Sequence, residues 1–352
     1  MTTAQALQTS AATSDQTGEL QADQIQLIHS QQWLKMLAPR EVGGGELNLP
    51  DVVQLEETLC AIDGSFGWVV TLCAGAGWFT GFLPTGMAQH IMGTPDVCLA
   101  GSGVPTGYAE REGNSWRLNG RWTHASGAQL ATHFTCNAQL RENGLPLLDA
   151  QGRPRICAFV VSASQVHIEP GSWHSIGLRA TTSCAFALHD VRVPHNNAFV
   201  IDAASATATG PLYKFPFEAL AFVTLAACVL GMARHFMTLA QALVGRHIGP
   251  LNGPSISAQM LWSNCDLSLQ AARTEFYAQL NHAWRSILQG RVTDDLQDKR
   301  LVNSSLTLVR QARESVDQLY PCCGLQAADP RTEINRVWRD LHTASQHALW
   351  LR

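Results

Sequence analysis

Residues 116–127 have the sequence WRLNGRWTHASG, and this stretch marks the change of pattern that decides the fold. In a regular strand of this sequence, Trp122, His124 and Ser126 would point to one face and the residues between them to the other. Similar short runs, rich in β-branched and aromatic residues and separated by Gly, Pro and Asn, continue to about residue 201. The sequence therefore predicts a central β-sheet domain over residues 93–204.

Upstream of this region the apolar residues follow a helical period. One helix is predicted over residues 22–37, because Pro39 then interrupts the helical pattern. A second helix is predicted from Pro50 to a break at Gly64. The apolar stretch SFGWVVTLCAGAGWFTGFL at 65–83 predicts a buried helix whose small residues allow close packing. These helices constitute a predicted N-terminal helical domain over residues 21–92.

The two ends of the chain differ from each other. Residues 1–20 are polar and rich in Ser, Thr and Gln, which predicts a disordered arm. Residues 205–352 contain three long segments of helical pattern, which are long enough for a helical bundle. Hydrophobic residues make up 46% of the chain and charged residues only 15%. This composition predicts an α+β protein with a large core and a surface that favours oligomer formation.

Charge and cysteine usage exclude several classes of function. The net charge of -4 provides no basic field for nucleic acid. The chain shows neither a signal-peptide pattern nor a run of about 18 apolar residues, so we expect a cytoplasmic protein that does not enter a membrane. Ten scattered cysteines show no metal-ligand spacing, which predicts reduced thiols and no metal site.

Eight segments together resemble the acyl-CoA dehydrogenase superfamily, and the resemblance extends from about Pro39 to His347. It implies an acyl-CoA-dehydrogenase-like fold with an N-terminal helical domain, a central β-sheet domain and a C-terminal four-helix bundle. The segments, in chain order, are PREVGGGELN (39–48), ETLCAIDGS (57–65), WRLNGRWTHASG (116–127), WHSIGLRATTS (173–183), DVRVP (190–194), GRHIG (245–249), YPCCG (320–324) and RVWRDLHTASQH (336–347).

The carboxylate base of the dehydrogenases is absent from both positions that the family uses. One position lies eight residues beyond the Asp of the Arg-Asp pair, which is Ala348 when counted from Asp340. The other lies on the first long helix of the bundle, and residues 219–265 contain neither Asp nor Glu. Because an α-proton can be removed only by a base within reach, dehydrogenation of acyl thioesters is disfavoured.

Histidines occupy this C-terminal region instead, and the Arg-Asp-x-His…His segment resembles the two-component flavin monooxygenases of the same fold. In those enzymes a separate reductase supplies reduced flavin, as FADH2 or FMNH2. Molecular oxygen adds at flavin C4a, and the peroxide or hydroperoxide attacks an aromatic ring, a sulfur or an amine. The resemblance therefore implies a small-molecule substrate, a reductase partner and a homotetramer.

The resemblance assigns two kinds of catalytic residue. Ser126 would lie near flavin N5, with Trp122 and the Gly127 backbone close by, although Ser126 and Gly127 could instead simply close a strand. His347 is the candidate that manages protons, because a neutral imidazole titrates near physiological pH. His342 competes with it, but five residues of helix separate the two by about 140°, so we expect only one to reach the flavin.

Other residues are candidates for binding the flavin phosphates. Arg246 resembles a helix-end arginine that reaches the cofactor of a neighbouring subunit. Cys323 and Gly324 occupy the place of a Gly-Gly pair that lets the backbone approach the pyrophosphate, and the cysteine puts that approach in doubt. Arg179 could contact a phosphate or pair with an acid on the sheet.

The sequence leaves three functions open. A reduced-flavin-dependent monooxygenase is favoured. The alternatives are an acyl-CoA-dehydrogenase-type FAD enzyme that acts on CH-CH groups, and a non-catalytic flavin- or ligand-binding protein. The segment QHALW at 346–350 separates the first two, because a dehydrogenase would have Tyr-Glu-Gly there.

Overall fold

The computed structural model describes residues 3–244, 256–291 and 295–351. Helices precede and follow a sheet, as the sequence predicts. A proline lies in the first turn of the third helix, as expected from Pro50, and the Asp63 carboxylate caps the fourth by accepting the Ser65 and Phe66 N–H groups. The N-terminal helices are α1 (Thr3–Thr17), α2 (Ala22–Ser30), α3 (Leu49–Ile62), α4 (Gly64–Trp78) and α5 (Thr85–Met92).

The predicted disordered arm is wrong, because α1 is a helix docked on the protein. The Ser14 side chain is buried and donates to the Gln24 amide oxygen at 2.6 Å. The Asp15 carboxylate accepts two hydrogen bonds from Arg339, at 2.6 and 3.0 Å. The prediction of disorder rested on the low apolar content of this segment. The segment is ordered instead largely by hydrogen bonds to residues distant in sequence. Helix α2 also ends earlier than predicted, since Gln32 adopts a positive φ of 55°.

The central region is one sheet of eight strands. Its order is β6-β7-β2-β1-β3-β5-β8, with β4 added to β3. The β1–β3 pair is parallel and the other neighbouring pairs are antiparallel. The strands are β1 (Leu99–Glu112), β2 (Ser115–Ala125), β3 (His133–Glu142), β4 (Leu145–Pro146), β5 (Ile156–Ser162), β6 (His167–Glu169), β7 (Cys184–Pro194) and β8 (Ala198–Phe199).

The predicted alternation along β2 is wrong at its C-terminal end. The register with β7 shifts between Trp122 and Ala125, and His124 has a φ of +64°. This bulge adds a residue, so Trp122 and Ala125 both enter the sheet core while His124 is exposed. Ser126 is thereby released from the strand pattern and lies against the helices.

The C-terminal helices are packed around a central, largely buried helix, α6. The five are α6 (Phe217–Val244), α7 (Ile256–Leu288), α8 (Asp295–Leu319), α9 (Leu325–Ala328) and α10 (Glu333–Ala344). Helix α6 contacts α7, α8 and α10 of this bundle and also α3 and α4. Among the described helices it alone is long and apolar enough to cross a membrane, but 83% of its apolar window is buried in the protein. It is therefore a core helix, and it joins the two helical regions into one core.

A buried carboxylate ties α3 to α6 and α7. Glu57 is 1% exposed and accepts hydrogen bonds from Arg234, Arg273 and Tyr277 at 2.5, 2.9 and 2.5 Å. Each donor comes from a helix distant in sequence. The charge-assisted bonds offset the desolvation of the carboxylate and fix how the N-terminal helices lie on the bundle.

Replacing this carboxylate should weaken the contact between the two helical regions. We expect Glu57→Gln to lower the free energy of unfolding by about 1–3 kcal/mol, because charged donors lose their acceptor. Thermal unfolding of the variant measures this, with Glu275→Gln, an exposed carboxylate on α7, as the control. Equal changes in the two variants would contradict the role of Glu57.

Candidate active site

A cavity of about 330 Å³ lies between the sheet and the helices. Ser126 lines it from the end of β2, and His347 lines it from the segment after α10. Most of the remaining wall is apolar, with a few polar side chains such as Thr71, Ser102 and Asn137. None of the described residues that line it is an Asp or a Glu. A mostly apolar cavity with a few convergent polar groups is typical of a small-molecule site.

Ser126 is held by partners from both sides. It is buried, and its Oγ accepts a hydrogen bond from the Trp68 indole N–H at 3.1 Å. The Ser183 hydroxyl lies 2.8 Å from the same oxygen. The next residue, Gly127, has a φ of +74°, and a Cβ there would lie 2.6 Å from the Cys73 sulfur. Only glycine fits this turn, which closes the strand, and flavin binding by the Ser-Gly pair stays a prediction.

His347 lies just after the end of α10 and points its ring toward Trp68. The two ring centroids are 6.2 Å apart in an edge-on arrangement. The Leu349 N–H donates to His347 Nδ1 at 3.3 Å, so in the neutral ring the proton lies on Nε2. Burial lowers the pKa of His347, and nearby His124 lowers it further. The imidazole is therefore neutral at pH 7, and its Nε2–H is free to donate a hydrogen bond.

The position of His347 follows from a buried junction between α10 and the sheet region. The Asp340 carboxylate accepts the Leu178 N–H at 2.6 Å, and Thr343 Oγ1 accepts the Gly177 N–H at 3.1 Å. Gly64 packs so closely on Asp340 that a Cβ there would lie 3.0 Å from the carboxylate. Burial raises the pKa of the Asp340 carboxyl to about 7, although its bond from Leu178 lowers it.

His342 does not line this cavity. Its Nε2 lies 2.7 Å from Asp317 Oδ1, and its Nδ1 lies 2.7 Å from the Trp338 carbonyl oxygen. Its ring also packs on Trp338, with centroids 4.1 Å apart. These contacts give His342 a structural role between α8 and α10. Of the two candidate histidines, the fold brings only His347 to Ser126.

Two of the residues proposed to bind the cofactor, Trp122 and Arg179, do not line the cavity. Trp122 does not line it, because its indole is fully buried in the sheet, stacks on Phe186 and donates to the Asn137 carbonyl. Arg179 is exposed and lines a separate polar cleft of about 540 Å³. It has no resolved ion pair among the described residues, so pairing with an acid on the sheet is not observed.

Of the remaining candidates, Cys323 and Gly324 follow the end of α8. The buried Cys323 thiol donates to the Leu319 carbonyl at 3.3 Å, and Gly324 has a φ of +64°. Cys322 and Cys323 are both free thiols. Arg246 lies outside the described residues. Within the described ranges, no group of three His, Cys, Asp or Glu side chains could hold a metal ion.

The sequence did not single out Trp68, Ser183 or Thr71 as site residues. Trp68 and Thr71 belong to the apolar stretch of α4, whose pattern predicted only a buried helix. Ser183 was part of the quoted GLRATTS segment, but nothing in its spacing indicated a partner 57 residues away. Hydrogen bonds across such distances leave no local pattern.

The cavity has features that fit a flat, partly polar ring such as a flavin. Gly103 places bare backbone on the β1 side of the wall, and a Cβ there would meet open space, whereas a Cβ at Gly101 would clash with Thr135 of β3. Ser126 offers a hydroxyl at the same cavity. Apolar side chains of α4 and α6 form the opposite side, which would exclude water. The residues present therefore fit the ring of a flavin.

Comparisons with known proteins agree with this fit. Residues 223–351 match the family described as acyl-CoA dehydrogenase, C-terminal domain. The indole-3-acetate monooxygenase of Acinetobacter baumannii is 26% identical over 320 residues, covering 89% of this chain and 80% of that protein. The FADH(2)-dependent resorcinol hydroxylase, oxygenase component, of a Rhizobium species is 26% identical over 368 residues, covering 96% and 86%.

A solved structure shows the same fold over nearly the whole chain. The 3-HSA hydroxylase from Rhodococcus sp. RHA1 superimposes with a TM-score of 0.91 at 20% identity, covering 99% of this chain and 91% of that one. The predicted acyl-CoA-dehydrogenase-like fold is thereby confirmed. The predicted resemblance to the two-component flavin monooxygenases of that superfamily is confirmed by the sequence matches.

The Asp340 junction should give the protein a characteristic dependence of stability on pH. The pKa of Asp340 is about 7 in the fold, above its ordinary value of 3.8, so the folded state binds an extra proton between these values. The stabilising contribution is complete below about pH 4 and is lost as pH rises through 7. Asp340→Asn keeps an acceptor for Leu178 but does not titrate.

We therefore expect urea midpoints of the wild type to fall, relative to those of Asp340→Asn, as pH rises from 5 to 8. The comparison between the two proteins cancels the titrating groups that do not interact with this carboxyl. The neighbouring charges that act on it are Asp63 and Asp15, which raise the pKa of Asp340, and Arg336, which lowers it. A difference between the midpoints that does not vary with pH would show that Asp340 does not titrate in this range.

Proposed function

We propose that this chain, which has the acyl-CoA dehydrogenase fold and is related to the two-component flavin monooxygenases, is itself the oxygenase component of such a system. It is a flavin-dependent oxidoreductase that uses reduced flavin and molecular oxygen, and a separate reductase supplies the flavin. One observation carries the proposal. Ser126 and His347 meet in a single cavity, and the described residues of its wall include no carboxylate.

The residues of the cavity have distinct roles in this proposal. Reduced flavin, when bound, supplies the electrons that activate oxygen for transfer to the substrate. The Ser126 hydroxyl would hydrogen-bond to the ring, near N5 as the family resemblance implies. Gly103 would let the ring approach the backbone, and the apolar side chains of α4 and α6 would keep the cavity dry.

His347 handles the proton in this scheme. The Leu349 N–H occupies the lone pair of Nδ1, which leaves the Nε2–H for the cavity. That N–H can donate a hydrogen bond to a substrate hydroxyl, thiol or amine, or to the activated oxygen, and so polarise it. Because the ring is buried and His124 is near, the protonated form is disfavoured, and the imidazole keeps this arrangement at neutral pH.

Dehydrogenation of acyl thioesters is not supported by the wall of the cavity. Ala348 occupies the position of the family's base, is exposed, and does not line the cavity. A substrate here would meet hydroxyl, amide and imidazole groups rather than a carboxylate. These groups suit a small aromatic, sulfur or amine substrate better than abstraction of a carbon-bound proton.

The flavin phosphates and the assembly belong to the same proposal. The polar cleft at Arg179 offers a cation for a phosphate, and Arg246 and Gly324 would contribute from a neighbouring subunit. A homotetramer formed as a dimer of dimers would bring these groups together. Exposed apolar side chains along the C-terminal helices support association, and they include Met260, Leu267, Leu288, Leu296 and Leu325.

A single-turnover experiment tests the function directly. The protein, mixed anaerobically with FADH2 or FMNH2 and a panel of small phenols, thioethers and amines, is exposed to ¹⁸O-labelled oxygen. We expect one labelled oxygen atom in the product of at least one substrate class. Turnover of acyl-CoA substrates with an electron-acceptor dye, and no labelled product, would support the dehydrogenase alternative instead.

The role of His347 predicts the pH dependence of product formation. Protonation would place a proton on Nδ1 and remove the acceptor of the Leu349 N–H, and the lowered pKa means that this happens only below the ordinary value of 6.5. The wild type should therefore lose activity as pH falls below 6.5. His347→Asn should reduce product formation by about 10²–10⁴-fold and lack this acidic limb.

His342→Asn is the matched control. It breaks the bond to Asp317, so the variant should lose thermal stability but keep the acidic limb. If His342→Asn abolished the limb and His347→Asn preserved it, the two assignments would be reversed.

A further inference from the structure

Ser126 is the first of three buried hydroxyl groups that form a row. Ser183 Oγ lies 2.8 Å from Ser126 Oγ, and Thr181 Oγ1 lies 2.7 Å from Ser183 Oγ. The row ends at the Leu178 carbonyl, which lies 2.8 Å from Thr181 Oγ1. Thr181 is 0% and Ser183 is 4% exposed, so water cannot replace a missing partner.

We infer that Ser183 and Thr181 determine whether Ser126 accepts or donates a hydrogen bond in the cavity. They are positioning residues, since they act through Ser126. The inference rests on the proposed function, in which a flavin ring lies beside Ser126. It adds to that function a way for one serine to hydrogen-bond to both the reduced and the oxidised form of the flavin ring.

The number of protons in the row allows two arrangements. A hydroxyl carries one proton and two lone pairs, and Trp68 always occupies one lone pair of Ser126. In the first arrangement every hydroxyl donates toward Leu178, so Ser126 gives its proton to Ser183. Ser126 then has a lone pair left for the cavity and acts as an acceptor.

In the second arrangement the Ser183 proton turns toward Ser126. Ser126 then accepts from both Trp68 and Ser183, and its own proton can only point to the cavity. Ser126 therefore acts as a donor. The Leu178 carbonyl tolerates either arrangement, because it also accepts the Trp173 indole N–H at 2.9 Å. All non-hydrogen atoms stay in place, and only the hydroxyl hydrogens rotate.

These two arrangements match the two forms of a flavin. Reduced flavin carries a hydrogen on N5 and needs an acceptor there, whereas oxidised flavin has a lone pair on N5 and needs a donor. An oxygenase component must take up the reduced form and later release the oxidised form. A reversible row lets Ser126 bond to either form without leaving a buried proton or lone pair unpaired.

Two substitutions remove the reversibility in different ways. Thr181→Val deletes the acceptor for the Ser183 proton, so Ser183 must donate to Ser126. Ser183→Ala deletes the inward acceptor for the Ser126 proton. In both variants Ser126 is favoured as a donor into the cavity. The N5–H of reduced flavin is then left without an acceptor. Ser183→Thr keeps the hydroxyl and serves as the conservative variant.

The test is anaerobic titration of the full chain with oxidised and dithionite-reduced FMN and FAD. Thr181→Val and Ser183→Ala should each weaken binding of reduced flavin about tenfold and leave the affinity for oxidised flavin unchanged. Ser183→Thr should restore the wild-type ratio of the two affinities. Ser126→Ala should weaken both forms, because it removes the bonding group itself.

The outcomes separate this inference from the proposed function. A wild type that binds neither form of flavin would overturn the function and this inference with it. A wild type that binds reduced flavin, with Thr181→Val and Ser183→Ala losing both affinities equally or neither, would overturn the hydroxyl row alone. Thermal unfolding of each variant shows whether an equal loss reflects a damaged fold.

Discussion

The hydrogen bond from the Leu178 N–H to the buried Asp340 carboxylate is the contact on which the site depends. Leu178 has a φ of 50° and Thr182 a φ of 43°, both in a region that costs a residue other than glycine about 1–3 kcal/mol. The Asp340 bond holds one end of this strained segment. On one side the bond positions α10 and thereby His347. On the other side the Leu178 carbonyl ends the hydroxyl row that reaches Ser126.

The cavity that results has no fixed charge among the described side chains of its wall. Its polar groups are hydroxyls, an amide and a neutral imidazole, and the described wall contains no carboxylate. Two buried carboxyls outside this wall have structural roles. Glu57 holds helices together, and Asp340 holds the junction. A dry, uncharged cavity of this kind protects reactive species from water, and the chemistry then depends on hydrogen bonds whose direction the protein controls.

The order of helices and sheet and the burial of α4 were predictable because each depends on local pattern. Pro50 began a helix and the apolar run after Gly64 formed one, as periodicity indicates. Three features were not predictable. The order of α1 depends on Arg339, more than 300 residues away, and the bulge at His124 depends on pairing with β7. Ser126 and His347 were found only through family resemblance, and the partners of Ser126 left no signal in the sequence.

We propose that the ring of a flavin lies beside Ser126 in the cavity that His347 also lines. A crystal structure of the protein soaked anaerobically with reduced FMN or FAD measures this directly. We expect flavin N5 within hydrogen-bond distance of Ser126 Oγ, with His347 on the same cavity. A ring bound elsewhere, for example in the polar cleft at Arg179, with Ser126 facing only protein, would contradict it.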